Sequence, residues 1–365
     1  VSNAPPAAPP RSVVVIGGGF VGRCCAWLLS RSGHRVTLVA AAPPEGALDG
    51  SGAALGLLMA DVYRRRSGRG WRLRQHSLAL LAHWQGLLAA AGHPVALRRG
   101  LLLLAQDAED WQRQQALASA SAKPGPCLEL RTAPELQRLE PVLPPGAPGG
   151  LWSARDGQLD PIVWGAALEA DGTAHGLLLE REPAAAIAPT PGGRGGWRVQ
   201  LAGGTALGAD SVVVAAGLGS GPLLASLGIE LALEPVLGQA LELELAATTP
   251  ELWPGSVVWQ GINLVPRPFR RLWIGATLEP GESANPDALT NLAHLQGKAP
   301  DWLRQARTLR HWQGLRVRPV GQPAPVLIEP RPGLLVSTGH YRNGILLAPA
   351  SAAWVAGRIE ALNGA

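Results

Sequence analysis

The sequence has few cysteines, almost no lysine and no long apolar run. Its cysteines are Cys24, Cys25 and Cys127. Two are adjacent and the third is distant, a spacing that excludes a disulfide framework and a zinc site. Cys24 and Cys25 are expected to pack as small apolar residues on a helix. No stretch reaches the ~20 apolar residues of a membrane-spanning helix. Residues 1–12, VSNAPPAAPPRS, lack the apolar core of a secretory leader and read as disordered, with Ser2-Asn3-Ala4 resembling an expression-tag scar. The expected compartment is the cytosol. Lysine occurs only at Lys123 and Lys298, so arginine supplies 30 of the 32 basic residues. A pI near 9.7 invites a nucleic-acid reading. The densest run is Arg64-Arg65-Arg66, then Arg69, Arg72 and Arg74. The lysine shortage, together with abundant Ala, Gly, Leu and Pro, marks a genome-wide composition bias, and the run reads as a solvated face rather than a nucleic-acid contact.

What is present begins at Val13. The run Val13 to Ile16 is β-branched and apolar, as a buried parallel strand requires. Gly17, Gly19 and Gly22 follow as G-x-G-x-x-G. The first glycine permits a tight turn, the second lets backbone approach a pyrophosphate, and the third lets helix pack on strand. Phe20 to Arg31 has helical periodicity, Gly33 ends it, and Val36 to Val39 is a second strand. The motif therefore sits in a βαβ unit, with a helix N-terminus to hold a pyrophosphate. A carboxylate about 20 residues on normally takes the ribose hydroxyls. Here Ala40, Ala41 and Ala42 stand at the end of the second strand. Glu45 and Asp49 are the nearest acids, and either could reach back.

Further along, SGAALGLLM (51–59) offers small residues that let backbone approach a ligand, with Ser51 as a phosphate donor. Helices are expected over Gly70–Ala91, Ala108–Ser121, Thr132–Leu139, Ile162–Ala170, Pro286–Leu309 and Ile345–Leu362. Strands are expected over Leu101–Leu104, Trp197–Leu201, Ser211–Ala215, Glu234–Leu245, within Val257–Thr277 and over Gly333–Thr338. Residues 141–150, PVLPPGAPGG, read as a linker. A βα finish after a βαβ start implies a discontinuous nucleotide domain with a second domain inserted in pieces.

Three stretches together resemble one family. They are VVVIGGGFVG, VVVAAGLGSG followed by PVLGQ (235–239), and GLR…GHYRNGILLAP. The chain resembles the glycine oxidases of the thiamine pathway, within the D-amino-acid oxidase superfamily. The resemblance implies an α/β fold: a Rossmann-like FAD-binding domain with a parallel sheet (11–83, 151–222, 311–365) and an antiparallel-sheet α+β substrate domain (84–150, 223–310). It implies non-covalent FAD, held by Gly17, Gly19, Phe20, Val21, Gly22, Ser51, Ala53, Ala216, Gly217, Gly339, Asn343, Gly344, Ile345 and Leu346. No cysteine lies near GHYRNG to form a covalent flavin link. In the family the last helix presents its N-terminus to the pyrimidine edge of the flavin, where reduction places negative charge.

The resemblance also implies a substrate site. Arg316 matches the family's carboxylate-binding arginine and Arg342 a second active-site arginine; a planar guanidinium suits a carboxylate. Asn263 stands where the family has a tyrosine, which widens the pocket toward larger or secondary amines, and Leu278 would line it. Ala40 departs from the family's acid, so the adenosine end is expected to be held loosely. The implied activity is oxidative deamination, with hydride passing from the α-carbon to flavin N5 and oxygen as acceptor. The rivals are a dehydrogenase using another acceptor, a flavoprotein acting on modified tRNA bases, and a fold that has lost FAD. A homo-oligomer is the family's expectation.

Overall fold

Alternating apolar runs sort the chain into two sheets. The structure, a computed structural model, describes residues 9–42, 48–120, 128–192 and 195–362. Residues 1–8, Glu45, Lys123 and Cys127 lie outside them. The chain passes through β1 (Ser12–Ile16), α1 (Phe20–Arg31), β2 (Arg35–Val39), α2 (Gly68–Ala90), β3 (Leu97–Leu104), β4 (Gly149–Leu159), α3 (Pro161–Ala174), β5 (Leu178–Glu180) and β6 (Ser211–Val214). It continues through β7 (Leu233–Glu244), β8 (Ser256–Trp259), β9 (Ile262–Arg267), β10 (Arg271–Gly275), β11 (Arg307–Pro319), β12 (Val326–Arg331), β13 (Leu334–Thr338) and α4 (Gly344–Ala361).

The first sheet has the order β12-β13-β6-β1-β2-β5. All its pairings are parallel except β12 with β13. Its central strands β1, β6 and β13 are buried on both faces, which explains their unbroken apolar runs. Val13 and Val15 face α1 and α4 together with Trp27 and Trp84. Val14 and Ile16 face the opposite core, with Trp197, Val199 and Leu224. That second layer is a small antiparallel sheet of Ala184–Pro189, Trp197–Leu201 and Ala206–Ala209.

The second sheet runs Glu279–Pro280, β7, β10, β9, β8, β3, β4 and Leu57–Leu58, with β11 paired to β7 off this path. It is antiparallel except where β8 lies parallel to β3. Its core holds Leu102, Leu241, Ile274, Trp253 and Trp302.

Two expectations change here. Pro286–Leu309 is not one helix. It divides into Pro286–Ala293 and Asp301–Arg304, after which β11 begins. Leu295, Gln296 and Gly297 adopt φ of 45°, 53° and 82°, which no helix continues through. Residues 149 and 150, the end of the expected linker, instead open β4. Its glycines serve close packing: a Cβ at Gly157 would lie 2.1 Å from the Arg98 carbonyl oxygen. The expected domain boundaries after 83, 150, 222 and 310 fall inside α2, β4, the helix Ser220–Ala225 and β11; we propose that the passages between the sheets lie at the ends of those elements.

Candidate active site

A cavity of about 2030 Å³ opens where β1, β2, β6 and β13 end and where α1 and α4 begin. The glycine turn forms one wall. Gly17 has φ +122°, and a Cβ there would fall 2.3 Å from the Ala215 carbonyl oxygen. A Cβ at Gly22 would lie 1.9 Å from the Gly17 oxygen. Backbone contact therefore dictates both glycines. Gly17, Gly19 and Val21 line the cavity. Phe20 and Leu346 do not; they are 2% and 1% exposed and pack in the core behind the wall. Gly22 likewise is buried behind the turn. Ser51 was expected to donate to a phosphate. Its Oγ accepts the Phe20 N–H at 2.8 Å, so it caps α1 from a distant loop. Ser51, Ala53, Ala216 and Gly217 all line the cavity.

The second wall comes from GHYRNG. Gly339, Asn343, Gly344 and Ile345 line the cavity at the start of α4. No side chain caps this helix, so its first N–H groups are left for a ligand. Two helix N-termini at one cavity fit an anionic dinucleotide such as FAD. His340 is not a cavity base. Its Nε2 lies 2.9 Å from Ser351 Oγ, which in turn donates to the Leu347 carbonyl at 2.9 Å. The Ser351 proton is thus committed, and Nε2–H is the donor. Burial pushes the His340 pKa down to about 3, with Arg69 adding to the effect.

At the far end of the cavity stand Ala40, Ala41 and Ala42. Ala40 is 3% exposed, and its N–H donates to the Glu180 carbonyl at 2.8 Å. Asp49 lines the cavity: its Oδ1 accepts the Gly52 N–H within its own turn, and its Oδ2 lies 3.8 Å from where a Cβ on Gly19 would be. The cavity wall near Ala40 also carries two arginines. Arg181 follows the residue paired with Val39 and lines the cavity, as does Arg23. Both arginines flank Glu169, at 2.6 and 3.3 Å.

The substrate end lies on β11. From residue 310 on, the even-numbered residues share one face: Arg310, Trp312, Gly314, Arg316 and Arg318. Opposite them on β7 are Glu242, Ala240, Gly238, Val236 and Glu234. Arg310 bonds Glu242 at 2.7 Å, and Arg318 pairs with Glu234. Arg316 faces Val236 and has no cross-strand acid. Its Nη1 donates to the Leu237 and Thr277 carbonyls, each at 3.1 Å. Burial lowers the Arg316 pKa and Arg342 adds to this, while Tyr341 and Glu279 oppose it. Glu279 is occupied by Thr277 Oγ1, Gln239 Nε2 and the Asn285 N–H. Arg316 is therefore a held guanidinium without a carboxylate bonded to it. Asn263 and Leu278 line the same cavity, as do Arg342 and Tyr341. Tyr341 has φ +53°, an unusual conformation for a tyrosine.

Sequence reasoning missed Arg181, Gly238 and the β11 residues Trp312 to Leu315, all in the cavity wall. For β11 only a short signal existed, apolar and polar residues alternating from Leu315 to Arg318, and the preceding residues read as helix. The arginine run lies near this site. Tyr63 lines the cavity, with the Arg74 guanidinium 3.9 Å from its ring centroid. Arg64, Arg65, Arg69 and Arg72 are exposed and make no ion pair among the described residues.

Residues 12–358 match the DAO family, FAD dependent oxidoreductase. A glycine oxidase of Geobacillus kaustophilus is 31% identical over 95% of this chain and 92% of that protein. A crystal structure of glycine oxidase from the same organism superposes with a TM-score of 0.83 and 28% identity, covering 96% of this chain and 95% of that one. A tRNA 5-methylaminomethyl-2-thiouridine biosynthesis bifunctional protein of Ralstonia nicotianae is 32% identical over 81% of this chain and 45% of that protein.

Proposed function

The chain belongs to the DAO family of FAD-dependent oxidoreductases, as an amino-acid oxidase of the glycine-oxidase type, and we propose that it oxidatively deaminates a small amino acid or secondary amine. Arg316 carries this reading. It is the one arginine on its strand face without an opposing acid, and it is fixed by two carbonyls in the wall of the cavity. A substrate carboxylate supplies the missing anion through a two-pronged contact. Arg342 adds a second positive charge, and its proximity lowers the pKa of Arg316 until an anion arrives between them. Asn263 offers an amide donor and leaves the space that a tyrosine would fill, which favours an amine bulkier than glycine. FAD held against the two helix N-termini would supply the acceptor for the α-hydride, with oxygen as the final oxidant. The chain's own part is to orient the carboxylate and hold the reacting carbon still. The cytosol, a place in thiamine synthesis and a homo-oligomer belong to the same proposal.

The test is an anaerobic visible spectrum with glycine, sarcosine, D-alanine and D-proline added in turn. Bleaching by one of them supports the assignment. A yellow protein bleached by none defeats it. Bleaching without later oxygen consumption would point to a dehydrogenase.

A second reading rests on the unpaired arginines near Tyr63. Arg64, Arg65, Arg69 and Arg72 form a basic rim, where other arginines of the chain pair with acids. A tRNA substrate would use it. Binding that weakens steeply with salt, and falls when these arginines are replaced, supports that reading; no tRNA binding at low salt ends it.

A further inference from the structure

The β7–β11 ladder contains a pair of glycines in register, Gly238 opposite Gly314. Each has a neighbour where its side chain would be. A Cβ at Gly314 would lie 2.3 Å from Ala53 Cβ. A Cβ at Gly238 would lie 2.4 Å from Arg316 Nη1, 2.5 Å from Nη2 and 2.7 Å from Cζ. Gly238 is in the middle of a long strand and is absent from the residues with positive φ, so its backbone conformation is open to any residue. A glycine inside a strand weakens it. What it provides here is a bare stretch of backbone.

We propose that Gly238 is the positioning residue for Arg316, resting on the reading above that Arg316 binds the substrate carboxylate. The cross-strand ladder explains why. Arg310 and Arg318 are held by acids directly opposite them. Arg316, opposite Val236, leans diagonally and lies over Gly238. Only there does Nη1 reach both the Leu237 and Thr277 carbonyls, leaving the other edge of the guanidinium for a ligand. A methyl group at 238 occupies this seat. The side chain, the movable partner, is displaced, while the strand is left in place. The glycines of PVLGQ and GLR thus do one job between them. Gly314 admits the Ala53 loop beside the cavity, and Gly238 seats the arginine two residues further along the same face.

The experiment uses the FAD-loaded protein and acetate as a carboxylate probe, followed by the shift in flavin absorption, alongside the KM for whichever amino acid bleaches the flavin. Wild type is compared with G238A, R316A and the double variant. The expected result is that G238A and R316A each raise the acetate Kd by about tenfold or more, and that G238A adds nothing once Arg316 is gone. In G238A, KM rises far more than kcat falls, and flavin content and melting temperature stay those of wild type. If R316A weakens acetate binding and G238A does not, or if the two effects add, the positioning role is wrong while the Arg316 reading stands. If R316A leaves acetate binding unchanged, that reading fails and the inference with it. Loss of flavin or early melting in G238A would mean that the glycine serves the sheet itself, which overturns the proposal.

Discussion

At the scale of single residues, the two ends of the cavity carry opposite lessons about charge. His340 is buried and neutral, with a pKa of about 3 against an ordinary 6.5. Between those values the unfolded chain takes up a proton that the native histidine refuses. Stability is therefore lost as pH falls from about 6.5 toward 3. H340Q keeps a donor toward Ser351 and removes the titration. Wild type is expected to lose more stability than H340Q between pH 7 and pH 5 in denaturant titrations; parallel losses would show that the imidazole is not held neutral. At the other end, Ala40 keeps its methyl group against Gly18 and leaves Arg181 and Arg23 beside the cavity. A glutamate there would meet the ribose hydroxyls and stand among these cations. A40E is expected to tighten FAD by about tenfold, or ~1.4 kcal/mol, measured by flavin fluorescence as apoprotein is titrated. An unchanged Kd would mean that the ribose lies elsewhere.

Among the elements, α4 shows how a sequence irregularity is absorbed by packing. Pro349 sits inside the helix, where its ring crowds the preceding turn. The next amide, that of Ala350, donates to Ser77 Oγ at 3.1 Å, from α2. Both groups are buried. S77A would leave a buried N–H without a partner, at a cost of ~1–3 kcal/mol. The denaturant midpoint should fall accordingly, with the flavin spectrum preserved. A midpoint within error of wild type would show that the helix repairs the bond internally. The same element scale explains why β11 was illegible. Its helical-looking approach, residues 286–306, breaks at left-handed backbone over 295–297, where the breakers Gly297 and Pro300 outweigh the helical periodicity.

Over the whole molecule, the cavity is lined by segments far apart in the chain: the first turn, the 48–63 loop, Arg181, the turn after β6, β7, β11 and the start of α4. FAD bound there would touch both sheets and act as a core shared between them. Apoprotein should melt in one transition that moves upward with added FAD. The stabilisation should reach ~2.7 kcal/mol at a hundredfold excess over Kd. Two separate transitions, only one of them responding to FAD, would show that the sheets do not depend on the cofactor together.

The sequence by itself determined the βαβ start, the glycine turn and the apolar strands of the parallel sheet, because those follow from local sterics and from period-two burial. It also carried the motifs that mark the family, and with them Arg316, Arg342 and Asn263. Tertiary structure alone decided the rest. Which arginine on the β11 face lacks an opposing acid depends on cross-strand register, which joins residues some 80 positions apart, as Glu234 to Arg318. That Ser51 caps α1, that Arg181 stands beside Ala40 and that Gly238 lies beneath a guanidinium are likewise facts of approach between distant segments. Nothing in the local pattern of the chain encodes them, because each depends on what the fold brings alongside.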